Sequence, residues 1–247
     1  MANNVLRLDV DVADSGSLVH LPLVSNLSAS DIGSDGSLSD TAPTETEVQV
    51  VINKWKGVSI NIPDILSAQS KYDLMKLYAE KMGYALALVV ENDLLDEYDN
   101  STTNSVGALG VDLTDAVLRS MVEKFDNARA PFEERHLIVK PAQKNALLGI
   151  DKFVRYDVIP YSKGESPVLK GNIGEIYGFS IHVSPEVDTT GGETRNFAWQ
   201  KDGIALAMQK DVKIEKFART QFADRMGASE LYGLKTLRAD HTCKVKS

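Results

Sequence analysis

The stretch that decides the architecture runs Pro63-Asp64-Ile65-Leu66-Ser67-Ala68-Gln69-Ser70-Lys71-Tyr72-Asp73-Leu74-Met75-Lys76-Leu77-Tyr78-Ala79-Glu80-Lys81-Met82 and on through Leu86 and Val89 to Tyr98. Its first two residues have the chemistry of a helix start. Proline loses nothing in a first turn, where its missing N–H has no partner to forfeit, and an early carboxylate suits the positive end of the helix dipole. Ile65, Ala68, Tyr72, Met75, Ala79, Met82, Leu86 and Val89 then recur at steps of three and four with no internal proline, the pattern of an amphipathic helix. The spacing predicts one helix over 64–98, about 50 Å long at about 1.5 Å per residue. That is longer than most helices of a compact domain, so it should cross a whole lobe or act as a strut.

Upstream, Val48, Val50 and Ile52 alternate with polar neighbours, as do Val58, Ile60 and Ile62. Two strands are expected over 47–62, joined around Lys54-Trp55-Lys56-Gly57. Residues 25–43 are rich in Ser, Asp and Gly and nearly lack bulky apolar groups, which reads as a mobile loop. Before them, the alternating runs at 5–12 and 18–22, separated by Asp14-Ser15-Gly16, read as an extended arm or hairpin.

Downstream, 100–110 is a polar connector, and a second helix is expected over 112–127 with Asp112 as its cap and Val117, Met121, Val122 and Phe125 on one face. Arg135-His136-Leu137-Ile138-Val139 reads as a buried strand, followed by a short helix that Pro141 opens and Gly149 closes. Residues 161–174 are loop-like. One strand is expected over 175–184, with Phe179, Ile181 and Val183 on one face, and further strands over 212–217 and 231–237. The stretch 197–209 fits helix or strand.

The chain has 247 residues and a formal net charge of −8, which argues against affinity built on phosphate neutralisation. From Glu193 onward there are 11 basic and 7 acidic side chains, read as a mixed solvated surface. No run of apolar residues is long enough for a membrane span, and the first residues lack a signal peptide's basic and apolar regions, so synthesis in the cytoplasm is expected. Cys243 is the one cysteine, which excludes an intramolecular disulfide. His20, His136, His182 and His241 are scattered without metal-ligand spacing, and His136 and His182 read as ordinary strand residues. Gly171, Gly174 and Gly178 lack the Gly-Lys-Ser/Thr of a phosphate loop, and the 31–36 stretch lacks the acidic spacing of a calcium loop. Glu133-Glu134 and Asp96-Glu97 are read as solvated charge, and no serine sits in a nucleophile elbow. No cofactor is expected.

The order of these segments resembles the tailed-bacteriophage major capsid proteins, which share the Hong-Kong-ninety-seven fold. Gly16-Ser17-Leu18-Val19-His20-Leu21-Pro22-Leu23 is similar to the strand that leads into the family's extended loop, and 48–64 with the helix after it to the return strand and spine helix. Ala130-Pro131-Phe132-Glu133-Glu134-Arg135, continuing through the 135–139 strand to Pro141, is the most specific match: proline, arginine, strand, proline, short helix. Gly171-Asn172-Ile173-Gly174-Glu175-Ile176-Tyr177-Gly178-Phe179 resembles a glycine-punctuated strand of the family, and the segments 199–207 and 231–238 follow in order.

The resemblance implies an α+β fold with a long spine helix, an extended two-stranded loop, and peripheral and axial lobes each holding a β-sheet. It divides the chain into an arm and incoming strand (1–24), the extended loop (25–62), spine helix and peripheral lobe (63–110), axial lobe (111–165), and shared sheet strands to the C-terminus (166–247). The implied role is a non-enzymatic subunit whose pentamers and hexamers close an icosahedral shell around double-stranded DNA, contacted non-specifically. The expected partners are further copies of itself, a separate scaffolding protein, a portal and a decoration protein, with no membrane. The expected location is the virion, after assembly in the host cytoplasm. Glu47, Lys54, Trp55 and Lys56 are the candidate intersubunit residues; Lys54 and Lys56 lie where some relatives crosslink, but no acceptor motif accompanies them, so no crosslink is expected. The competing readings are an encapsulin-like nanocompartment shell, or a soluble α/β enzyme or binding module.

Overall fold

The computed structural model describes residues 1–9, 16–24, 29, 31–32, 45–150, 174–220 and 222–247. The expected loop over 25–43 falls almost wholly outside them, as does 161–173. In chain order the strands are β1 (Leu6–Arg7), β2 (Leu18–Val24), β3 (Glu45–Val51), β4 (Lys54–Pro63), β5 (Ser105–Gly107), β6 (Arg135–Val139), β7 (Glu175–Ile176), β8 (Phe179–Val183), β9 (Thr189–Thr190), β10 (Glu193–Gln200), β11 (Ile204–Thr220), β12 (Ala223–Thr236) and β13 (Thr242–Lys246). The helices are α1 (Asp64–Gln69), α2 (Leu74–Asp96), α3 (Asp115–Asn127) and α4 (Pro141–Leu148).

Helix formation starts at Asp64 as the sequence predicts, yet the 64–98 helix is two helices. Ser70 Oγ accepts from the Tyr72 N–H and donates to the Tyr72 carbonyl, giving the backbone a local alternative to the next helical turn. Asp73 then caps a fresh start, its Oδ1 taking the N–H groups of Met75 and Lys76. The strut is therefore the 23 residues of α2, about 35 Å long. Met82, Leu86, Val90 and Leu94 form its buried line, drifting one position past the Val89 expected from the pattern. Each contributes about 1.5–3 kcal/mol on burial.

This line covers one face of a four-stranded sheet of order β1-β11-β12-β4. Ile62, Met226 and Ala228 meet Met82 and Leu86 there, with Val58 and Ile60 packed alongside. Strands β3 and β4 do not form the hairpin expected over 47–62. β3 pairs with β2, while β4 pairs along its whole length with β12, and Lys54-Trp55-Lys56-Gly57 lies inside β4. The chain bends instead at Ile52-Asn53, where the Ile52 N–H is taken by the Ser17 carbonyl. Gly57 marks close strand approach rather than a turn: a Cβ there would sit 3.2 Å from the Ala228 carbonyl oxygen. Of the arm or hairpin expected over 5–12 and 18–22, residues 10–12 lie outside the described residues; among those described, β1 joins β11 in parallel and β2 joins β3, with no pairing between β1 and β2.

The second sheet has the order β5-β13-β10-β6-β8-β7, with β9 on β10. β6 lies between β10 and β8 and is buried on both faces, which is why it reads as a continuous apolar run. Leu137 and Val139 meet α3 and α4 through Leu118, Met121, Phe125 and Leu147, while Ile138 turns to the other face with Phe197, Trp199 and the end of α2. α3 is capped by Thr114, not Asp112, which instead receives a bond from Gln143 Nε2. The strand expected over 175–184 is a hairpin, with Tyr177 and Gly178 at φ 52° and 80° in a two-residue turn between paired Ile176 and Phe179. Residues 100–110, read as connector only, contribute β5. The ambiguous 197–209 stretch is strand on both sides of a corner at Lys201–Gly203 and carries the chain from one sheet to the other.

Arg135 explains its place in the proline-arginine-strand pattern. Its side chain is buried against the rings of Phe125, Phe132 and Phe179, and it donates to the carbonyls of Ala130 and Pro131 and to Asp126. It thereby fixes the chain reversal ahead of β6. His136 and His182 are adjacent, Nδ1 to Nε2 at 3.2 Å, and burial followed by the neighbouring imidazole holds His136 down at about 4. Cys243 is fully buried in β13, and burial pushes its thiol up to about 12. No helix among the described residues is long and apolar enough to cross a membrane.

Gly233 sets how closely β12 approaches the root of β3, since a Cβ there would lie 2.3 Å from the Val51 carbonyl oxygen. Gly233→Ala is expected to cost about 1–3 kcal/mol through backbone displacement, read as a lowered midpoint in urea denaturation.

Candidate intersubunit surface

Strands β2 and β3 form a two-stranded sheet of their own, with Leu18 opposite Val51 and Val24 opposite Glu45. Among the described residues it is held at its base, by Val19, Val50 and Ile52 packing against Leu8, Ala205 and Ala207. The pair is thus an arm rooted on the four-stranded sheet. Glu47 lies on it across from Pro22 and pairs with the His20 imidazole, both half exposed.

Lys54, Trp55 and Lys56 follow in β4, where alternation sends them to different faces. Lys54 faces α2, its ammonium 3.2 Å from Asp93 Oδ2. Trp55 points to the opposite face and is 77% exposed. Lys56 lies across from Glu230 in the β4–β12 register. The four candidates therefore do not form one site. Glu47 belongs to the arm, Lys54 to the internal junction between helix and sheet, and Trp55 to the open face.

The junction under Lys54 gathers several ionisable groups. Asp93 on α2 accepts from the Tyr232 hydroxyl on β12 while pairing with Lys54. Glu230, two residues before Tyr232 on the same face, is 1% exposed, and its Oε1 has no hydrogen-bond partner among the described residues. Burial, then the nearby Asp93 carboxylate, pushes Glu230 up to about 7. Asp96 is raised as well, first by burial and then by Asp93. One turn on, Glu97 is buried rather than solvated as expected, and its Oε2 takes the backbone N–H and hydroxyl of Thr236. Asp93, Glu230 and Tyr232 were not singled out from the sequence. The strict alternation Met226, Ala228, Glu230, Tyr232, Leu234 would have shown a carboxylate in a core position, had the strand been read from 226 instead of 231.

On the face of the sheet away from α2 the arm's root covers Ala205 and Ala207, and among the described residues the rest of that face is open. Gly57, Ser59, Gly227 and Ser229 floor a trough of about 590 Å³, with Lys210, Lys213 and Arg225 among its walls. No group of three or more His, Cys, Asp or Glu among the described residues is placed to hold a metal ion.

A family model described as phage capsid protein matches residues 45–230, from β3 through most of β12. Among solved structures the chain is similar to one from Mycobacterium phage Che8, with TM-score 0.79 and 22% identity over 99% of this chain and 89% of that one. It is similar to the capsid structure of cyanophage P-SCSP1u at TM-score 0.75 and 18% identity, over 98% and 86% of the two chains. The mature capsid of bacteriophage PhiM1 gives 0.73 and 13%, over 98% and 85%. At these identities the likeness is one of fold. No curated protein sequence matches the chain.

Glu230 makes stability depend on pH. Its folded form holds a proton up to about pH 7, whereas the unfolded carboxyl releases it near 4.5. Stability from this group is therefore complete below pH 4.5 and declines as pH rises towards 7. Glu230→Gln removes that decline, so at pH 8 the variant should be more stable than the parent by on the order of 2–3 kcal/mol, with no difference below pH 4.5. Denaturant titrations at the two pH values check this.

Proposed function

Since the chain belongs to the phage capsid protein family, and is a structural protein of the virion shell, we propose how its copies build that shell. The four-stranded sheet with α2 is the peripheral lobe, and the seven-stranded sheet with α3 and α4 is the axial lobe around which pentamers and hexamers close. The β2–β3 arm reaches onto a neighbouring copy. The role is structural rather than catalytic.

The observation that carries this reading is the arm: a two-stranded sheet anchored, among the described residues, at its base, and attached to a lobe whose own surface is unfinished. Ile65, Tyr72, Tyr84, Trp55 and Phe222 are 64–84% exposed. Large apolar side chains gathered this way on one lobe mark contact with other chains. The 35 Å strut of α2, stapled to two strands through Asp93, gives the lobe the stiffness needed to pass load from one copy to the next.

The enclosed cargo in this reading is double-stranded DNA, met non-specifically by a surface whose excess negative charge lets it slide. A separate scaffolding protein, a portal and a decoration protein would complete the particle, assembled in the host cytoplasm. An encapsulin-like compartment shares the fold, but the match to phage capsid proteins favours the genome shell.

Purified chain, alone or with phage lysate proteins, should form closed particles under the electron microscope; a stable monomer that turns over a substrate would sink the proposal. Trp55→Ala should raise the protein concentration needed for particle formation about tenfold or more, as the loss of a central aromatic anchor does, while leaving the thermal unfolding of the free subunit unchanged.

A further inference from the structure

Three polar side chains from distant parts of the chain meet on one face of the seven-stranded sheet. His136 lies across from Ser180 in the parallel pairing of β6 with β8, and His182 stands two positions on, so alternation puts both imidazoles on the same face. The 3₁₀ turn Ala2–Asn4 packs there too, beside Ile138 and Trp199. Asn4 is fixed by its main chain: its carbonyl takes the Trp199 indole N–H at 2.9 Å, and Val5 after it is fully buried.

The polar atoms at this meeting point are overcommitted. His136 Nδ1 lies 3.2 Å from His182 Nε2, and the Asn4 side-chain nitrogen lies 3.1 Å from the same Nε2. A neutral imidazole nitrogen either donates one hydrogen or accepts one. If Nε2 accepts, the His136 and Asn4 donors compete for one lone pair. If it donates to His136, the Asn4 amide faces it hydrogen to hydrogen. No proton placement gives both contacts a full hydrogen bond.

A metal ion resolves the conflict, because the spacing is that of ligands sharing one. Metal–nitrogen bonds of about 2.0–2.1 Å in tetrahedral array put donor atoms about 3.3 Å apart, and the centres of two such imidazoles about 5.2 Å apart. The two rings here are centred 5.3 Å apart. A half-turn of the Asn4 amide brings its oxygen to the position of its nitrogen, at the cost of a 3.9 Å contact with the Met1 sulfur. Both rings are half-buried, which leaves further coordination positions to water. Burial disfavours protonation of each ring, so both keep the lone pair that ligation needs. The surrounding charges oppose one another: Glu91 and Glu134 act on the imidazoles against Lys201 and the amino terminus.

We propose that His136 Nδ1, His182 Nε2 and the Asn4 side-chain oxygen bind one late first-row divalent ion, of the zinc, nickel or copper class, which ties the amino-terminal turn to strands β6 and β8. Two imidazole nitrogens select such ions over magnesium and calcium, which take oxygen ligands. The site is independent of the Lys54 junction and of the shell reading above. Its pattern is invisible in the sequence, since the three residues are 132 and 46 positions apart and meet only through strand pairing.

Full-length chain, purified without a histidine tag and stripped with EDTA, is titrated with ZnCl2 and followed by calorimetry. One equivalent should bind, MgCl2 should not displace it, and the thermal midpoint should rise by about 5–10 °C when free zinc stands about a hundredfold above its dissociation constant. His136→Asn and His182→Gln keep a polar atom near each ligating position and should each weaken zinc about tenfold or more. Asn4→Ala should weaken it as well, and His20→Ala, on the arm, should leave it unchanged. A second measurement leaves the ligands intact. In Trp55→Phe the sole tryptophan is Trp199, whose ring is centred 5.9 Å from that of His136, so one equivalent of CuCl2 should quench its fluorescence by about half or more and EDTA should restore it. The proposal is overturned if the parent takes up no zinc, if either folded histidine variant or Asn4→Ala binds it like the parent, or if copper leaves Trp199 emission unchanged. Several weak equivalents per chain with no rise in midpoint would place the metal on surface carboxylates or the amino terminus, and overturn it equally.

Discussion

The Asp93 carboxylate binds two groups at once, the Lys54 ammonium on β4 and the Tyr232 hydroxyl on β12. Those strands are neighbours in one sheet, and Asp93 rides on the helix that crosses them. A helix laid on a sheet by apolar contacts alone can slide by a residue at small cost, because methyl and methylene groups carry no direction. A shared carboxylate in a half-buried place has direction and fixes the crossing point. The arm begins at Lys54's end of β4, so the position of the arm's root follows from the same contact.

That junction holds more negative charge than it neutralises. Glu230 and Asp96 stand near Asp93, and Lys54 is the cation paired with it. The imbalance is relieved by keeping Glu230 protonated into the neutral range, so the helix and sheet are tightest where that proton stays. The half-buried histidine pair in the other sheet has the opposite sense: His136 loses stabilising neutrality as pH falls from about 6.5 towards 4. Glu230 and His136 therefore respond to acid in opposite directions.

Much of the architecture could be read from residues in order. Pro63-Asp64 opened a helix, Pro141 and Gly149 bounded one, and 135–139 was a strand buried on both faces, because each of these is decided by neighbours in the sequence. What escaped was decided by distant partners or by local side-chain bonds that the apolar pattern does not show. The 64–98 stripe is apolar throughout, and only a pair of side-chain bonds at Ser70 and Asp73 breaks it. Lys54-Trp55-Lys56-Gly57 has the composition of a turn, but β12 supplies ten residues of pairing that keep it straight. Of the candidate residues, Trp55 was legible as an exposed aromatic. Lys54's true partner, on a helix 39 positions later, left no mark in the local sequence.

Cys243 has a further consequence. It is the chain's one sulfhydryl, enclosed at 0% exposure and kept protonated far above neutral pH. Such a group neither exchanges with other thiols nor takes up alkylating reagents while the fold is intact. The thiol state of the folded subunit is consequently indifferent to whether its surroundings are reducing or oxidising. A cysteine introduced at any outward position would be the sole reactive one, making the native background ready for attaching a fluorophore or spin label without first removing anything.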